Sequence, residues 1–326
     1  MKLFGLFFFI CLSHTAFSQF DLIDKDTSKY ASYRLSIRIA NNRINTDPNN
    51  AEAYIQRGYY LNLLGDYDGA LRDIDKYLSL RPAEAPVYKS RAKVNFEKGD
   101  LDQAIKDVSK ALELNPEFDE ARQDRATLYY KTGNFKACKP DLLYLLKKNP
   151  NDLSLILYLG YCETKEKNFN NAISYFRTIL SKDSLYKEAY NNLGFCYFSL
   201  GDNTKALEAI NKAIQIDPRY PEAYDKRAQV KISTNDYKGA LEDLNKALSY
   251  NPFLSTSLNN RMLALIELKR YNDALGDANL LLQLVEPTPE VLETRAKIYK
   301  ELGNTKLMEE DLKFAEELRK QLQIPK

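Results

Sequence analysis

The chain has 326 residues, of which 44% are apolar, 28% charged and 12% aromatic. That balance belongs to a folded globular chain and excludes disorder and collagen-like sequence. The formal net charge of +2 lacks the one-signed excess of a nucleic-acid or polyanion binder. Length alone suggests two ordinary domains.

The first eighteen residues read as a targeting segment. Lys2 supplies a positive start, Leu3 to Leu12 is an apolar run of ten residues, and Ser13 to Ser18 is small and polar. Ala16 and Ser18 occupy the −3 and −1 positions of a cleavage site before Gln19. The pattern predicts a secretory signal peptide over 1–18. A retained anchor would need about 20 apolar residues. A lipidated Cys11 would follow a small residue, whereas Ile10 precedes it. The only histidine, His14, lies in this segment. The exported chain would then have no imidazole for a catalytic triad or a metal site.

Residues 19–27 read as a leader. Ser28 to Thr46 reads as a lone helix that caps the first repeat, so that 19–50 precedes the main array. From residue 51 onward the chain repeats with a period of 34. Pro48, Pro82, Pro116, Pro150, Pro218 and Pro252 fall on one grid, with Ser184 and Glu286 at the two vacant points. Units start at 51, 85, 119, 153, 187, 221, 255 and 289 without any insertion, and the array spans 51–326.

Positions within a unit are numbered as slots. Slot 8 is Gly58, Ala92, Ala126, Gly160, Gly194, Ala228, Met262 and Ala296. Slot 15 carries Gly65, Gly99, Gly133, Gly201 and Gly303, and slot 16 carries Asp or Asn in seven units. Slot 20 is alanine in six units, with Cys138 and Met308 in the others. Slots 1–14 and 17–30 have helical apolar spacing. Glycine at slot 15 ends the first helix, and the acidic or amide side chain at slot 16 caps the second. The proline at slot 32 stops that helix and starts the next. Small residues at slots 8 and 20 let paired helices approach closely. A single pair cannot bury its own apolar face, so the pairs must stack. Unit 3 departs from the pattern, with Arg122 at slot 4 and Pro140 inside its second helix, where a kink is expected.

These residues resemble the tetratricopeptide repeat (TPR) family: Tyr54, Tyr88, Tyr190 and Tyr224 at slot 4, small residues at 8 and 20, proline at 32. The resemblance implies an all-α, right-handed solenoid of eight helix-turn-helix repeats with an N-terminal capping helix. It also implies a concave groove that binds a peptide or protein.

Slot 7 is arginine in six units and slot 23 is aspartate in the same six. The pairs are Arg57 with Asp73, Arg91 with Asp107, Arg125 with Asp141, Arg227 with Asp243, Arg261 with Asp277, and Arg295 with Asp311. Units 4 and 5 lack both, having Leu159 with Tyr175 and Leu193 with Ala209. Joint presence and joint loss predict an ion pair between the two helices of one unit, since a lone buried charge is costly. A ladder of arginines could otherwise be read as a phosphate clamp; the matched aspartates point to structure instead.

In the family the groove is lined by slots 2, 5, 6, 9, 12 and 13 of the first helices. Carried over by position, units 3 to 5 contribute Tyr130, Leu157, Tyr158, Tyr161, Asn191, Asn192, Phe195 and Phe198. Partly exposed aromatic residues are typical anchors for a partner segment. The flanks are more polar and include Lys89, Lys93, Asp225, Lys226 and Gln229. The family's carboxylate clamp needs Asn at slot 9 after Lys89, where this chain has Lys93. Recognition of a free C-terminus is therefore not expected.

Chemistry finds little support. Cys138, Cys162 and Cys196 read as small buried hydrophobes, and Cys162 and Cys196 sit at equivalent slots too far apart for a disulfide. The glycines punctuate helices and form no phosphate-binding loop. No carboxylate pair stands out. The expectation is a non-enzymatic exported scaffold without cofactor or metal, most consistent with the periplasm and then with secretion. It would bind a protein or peptide in an envelope assembly, touching no nucleic acid and keeping no membrane span after cleavage. A small-ligand or glycan receptor using the same aromatic groove is the alternative.

Overall fold

The structure, a computed structural model, describes residues 27–322. The signal peptide expected over 1–18 lies outside the described residues. All regular structure among them is α-helical. The chain divides into two compact units, Met1–Thr132 and Gly133–Lys326. The first holds α1 (Thr27–Thr46), α2 (Ala51–Leu63), α3 (Tyr67–Leu80), α4 (Ala85–Lys98), α5 (Leu101–Leu114) and α6 (Asp119–Lys131). The second opens with α7 (Phe135–Lys148), α8 (Leu153–Lys165), α9 (Phe169–Lys182), α10 (Lys187–Ser199), α11 (Asn203–Ile216) and α12 (Pro221–Ser233). It continues with α13 (Tyr237–Tyr250), α14 (Ser255–Glu267), α15 (Tyr271–Leu284), α16 (Pro289–Glu301) and α17 (Thr305–Leu322).

From residue 51 the first helix of every pair starts at slot 1 and the second at slot 17. Slot 15 is left-handed in all eight repeats. Its five glycines have φ from 74 to 92°, and Lys167, Asn235 and Lys269 have φ from 58 to 62°. The turn therefore forms without glycine, at a cost of about 1–2 kcal/mol for an L side chain. At slot 16, Asp66, Asp100, Asn134, Asp202, Asp236 and Asn304 each accept from the backbone N–H three residues on. Asn168 does not cap α9; its amide donates to Glu163 at 2.9 Å. The slot-32 proline does not start a helix. Second helices that lead into another repeat end by slot 30, so the proline sits in the connecting turn. Pro140 lies within α7, which runs unbroken through it.

Inside each compact unit, a second helix packs between its own first helix and the first helix of the following pair. The pairs are antiparallel: Glu52 near the start of α2 meets Arg81 after the end of α3 at 2.6 Å, while Arg57 meets Asp73 in mid-helix. Slot 8 faces slots 20 and 24. A Cβ added to Gly160 would lie 2.5 Å from the Phe176 ring, and one on Gly194 2.5 Å from Ile210. Met262, the one large slot-8 residue, is fully buried in a cluster with Ala274 and Ala278, so a small slot 24 compensates for it. The lone α1 serves as a second helix: Tyr33 meets Tyr60 at 5.7 Å, and Asn41 accepts from Arg57.

Slot-7 arginines grip the aspartates of their own repeats with two parallel bonds. Arg57 donates from Nε and Nη2 to Asp73 at 2.7 and 2.6 Å. Arg91 binds Asp107, Arg227 binds Asp243, Arg261 binds Asp277 and Arg295 binds Asp311 in the same way. Arg125 belongs to the first compact unit and Asp141 to the second. Each of the five arginines also donates from Nη1 to slot 25 of the preceding repeat: Asn41, Asp75, Asn211, Asn245 and Asn279, at 2.7 to 2.9 Å. The pairing of slots 7 and 23 gives no hint of this third member. Slot 25 is a residue able to accept a hydrogen bond ahead of every arginine repeat, but is Leu143 and Arg177, neither of whose side chains can accept, ahead of the two repeats that lack one. One guanidinium thus joins two helices of its own repeat to the helix before it. The aspartates retain only 2 to 8% of their side-chain surface.

Removing one partner strands a buried charge. Asp277→Ala should cost about 3 kcal/mol or more, read as a drop in the urea midpoint. The double variant Arg261→Leu with Asp277→Ala, which reproduces the Leu193 and Ala209 of unit 5, should regain most of that loss.

Candidate functional site

The structure divides the expected groove residues. Tyr130, half-buried on α6, belongs to the first unit. The other seven lie in the second, on α8 and α10. There α10, α12 and α14 pack side by side, so that equivalent slots form rows.

Slot 5 is an interior position in this stretch. Leu157 and Asn191 are 9% and 6% exposed, and Leu157 belongs to the apolar cluster of Ile173 and Phe176. Asp225, also at slot 5, is 2% exposed and shows why. Its carboxylate accepts from Ser257 and Asn260 on the next first helix, and from Gln229 on its own, at 2.9 to 3.0 Å. Slot 5 faces the neighbouring first helix, so Leu157 and Asn191 leave a partner little surface.

The remaining aromatic residues are graded in exposure. Tyr158 is 45% exposed and sets its ring edge-on to Tyr161 at 6.0 Å. Tyr161 is half-buried and leans on Phe176 at 6.2 Å. Phe195 is half-buried against Phe169 at 6.4 Å. Phe198 packs against the cluster of Ile210 and Val230, so it is partly core. Asn192 donates to the Glu188 carbonyl at 2.7 Å. What the surface offers is Tyr158, Tyr161 and Phe195, with Asn192 beside them.

Two polar features lie among these rings. Asn191 donates to the Tyr220 hydroxyl at 3.4 Å, while its Oδ1 is buried without a protein partner. An unmet acceptor costs about 1–3 kcal/mol. Burial pushes the Tyr220 phenol well above its usual range. Lys226 sets its ammonium 4.8 Å from the Phe195 ring centroid. Burial lowers its pKa, although Asp225 favours the charged form. In the sequence Lys226 is visible only as a polar flank, because slot number does not reveal burial.

Two depressions elsewhere in the second unit are lined by none of the groove residues. One lies around Asn245, Arg261 and Arg270, and the other along α9 around Arg177.

Cys138, Cys162 and Cys196 are buried free thiols. The sequence does not show that Cys138 and Cys162 meet. Cys138 donates to Cys162, which with burial pushes the Cys138 thiol up, and burial raises Cys196 to about 11. Thiols held protonated in this way, Cys138 and Cys196, are poor nucleophiles. Among the described residues no cluster of three or more His, Cys, Asp or Glu is placed to hold a metal ion. No described helix is long and apolar enough to cross a membrane.

Tetratricopeptide repeat profiles match residues 51–84, 95–159, 188–220 and 221–253, together half of the chain. No curated protein matches it significantly. Solved structures resemble it in fold. The C-terminal part of a TPR repeat-containing protein from Cytophaga hutchinsonii is 18% identical with a TM-score of 0.56, covering 71% of this chain and 95% of that one. Yeast Tom70 is 15% identical with a TM-score of 0.55, over 88% of this chain and 62% of its own. YrrB, described as a TPR protein with an unusual peptide-binding site, is 27% identical with a TM-score of 0.49, over 56% of this chain and 95% of its own.

Proposed function

Because the chain belongs to the tetratricopeptide repeat family, we propose that it is an exported adaptor that holds a peptide or protein segment against α8 and α10. TPR proteins are protein-interaction scaffolds in general, and the repeat fold is as a rule non-catalytic. The observation that carries the proposal is the aromatic surface on these two first helices. Tyr158 is exposed, Tyr161 and Phe195 are half-buried, and all three are held by rings beneath or beside them. Side chains fixed in this way lose little entropy on binding and bury a large area. An envelope assembly, with the periplasm as its compartment, is the setting that the segment over 1–18 supports.

The mature chain, from Gln19 onward, should retain a protein from an envelope fraction. A Tyr158→Ala, Tyr161→Ala, Phe195→Ala variant with unchanged helical content should lose it. Retention by both would move the site to another face or to the ends. Expressed with its first eighteen residues, the chain should be recovered from the envelope with Gln19 at its N-terminus. An intact Met1 would contradict export by cleavage.

A further inference from the structure

The part-buried cations of this protein are matched to carboxylates almost wherever they occur. Five slot-7 arginines hold aspartates. Lys139 holds both Glu163 and Glu166, Lys187 holds Asp217, and Lys231 holds Asp243. Lys226 breaks this rule. Its ammonium has one long bond to the Gln229 side chain at 3.4 Å and the face of Phe195, and no carboxylate among the described residues pairs with it. Asp225 is next to it in sequence, but Ser257, Asn260 and Gln229 occupy that carboxylate. Lys165, at the end of α8, brings a second positive charge near enough to repel Lys226. Lys165 is itself exposed and has no ion pair among the described residues. Two ammonium groups thus face the single nearby carboxylate of Asp225, with which neither forms a salt bridge, and the spot beside Phe195 keeps a net positive charge against an aromatic ring.

We propose that the partner segment is acidic, placing a carboxylate between Lys226 and Lys165 and an aromatic or aliphatic side chain against Phe195. This rests on the groove reading above and names the chemistry of its occupant. Charge complementarity selects this occupant. A desolvated ammonium without a salt-bridge partner is costly, and an incoming carboxylate restores the pairing found at the other buried cations. The ring supplies an apolar contact beside the charge, so neither a bare anion nor a neutral apolar segment satisfies both. Discrimination then comes from the unmatched cation and affinity from the ring.

The probe is a phage-displayed library of random 12-residue peptides, selected on the mature chain and in parallel on its Lys226→Glu variant. The expected result is enrichment in Asp or Glu beside Phe, Tyr, Leu or Ile on the wild-type chain, and loss of that enrichment on the variant. A fluorescein-labelled peptide from the wild-type selection should bind at least tenfold more weakly to Lys226→Gln, which removes the charge and keeps a polar side chain. Its binding should also weaken as sodium chloride is raised. Neutral or basic consensus peptides, no enrichment, or equal affinity for Lys226→Gln would overturn the inference. The groove reading is separable. Non-acidic peptides that are lost on Phe195→Ala would sink the charge match alone, whereas peptides indifferent to both Phe195→Ala and Lys226→Gln would sink both.

Discussion

The bond on which most of the architecture turns is the two-pronged grip of a slot-7 arginine on a slot-23 aspartate. Burying a carboxylate between two helices is unfavourable unless its oxygens are matched. The guanidinium fork matches both at once and has a further edge to spare. That edge reaches slot 25 of the repeat before, so one side chain fixes the spacing of three helices. In return, the carboxylates hold the guanidinium groups of Arg57, Arg227, Arg261 and Arg295 above their usual pKa. An arginine without its aspartate, or the reverse, would leave a buried charge with none of these compensations. This explains why the two residues are gained and lost together along the chain.

Where the grip is absent, shape takes over. In the fourth repeat Leu159 is fully buried and Phe176 fills the space over Gly160. In the fifth, Ile210 does the same over Gly194. Apolar packing of this kind tolerates neighbours that ion pairs do not, and the aromatic side chains of α8 and α10 gather around it. Phe176 and Phe169 belong to the packing layer, while Tyr161 and Phe195 rest on them and face outward in part. The change from charged clasp to apolar wedge and the appearance of an aromatic surface are one local event in the sequence.

Much of this architecture is legible in the sequence itself. The 34-residue grid places both helices of every repeat, because helix ends are set by local chemistry at slots 15 and 16 that does not need tertiary context. The left-handed Lys167, Asn235 and Lys269 show the limit of reading glycine alone: the turn is imposed by the helix pair on either side. The Arg and Asp pattern reveals an intra-repeat contact, yet the slot-25 acceptor stays hidden because it lies one repeat back. The meeting of Cys138 and Cys162 is hidden for the same reason, since it joins slots 20 and 10 of successive repeats. Exposure is the harder quantity. Leu157, Asn191 and Asp225 share a slot that family position assigns to the groove, but here the next first helix covers it.

The central claim is that the first helices of the fourth and fifth repeats carry the partner. The most direct test places a photoreactive benzoylphenylalanine at position 158 on α8, and separately at the exposed Thr178 on α9, in cells expressing the full chain. Illumination should yield a discrete crosslinked protein from position 158 and none from 178. A crosslink from Thr178 with none from position 158 would contradict the account and put the partner on the second-helix face.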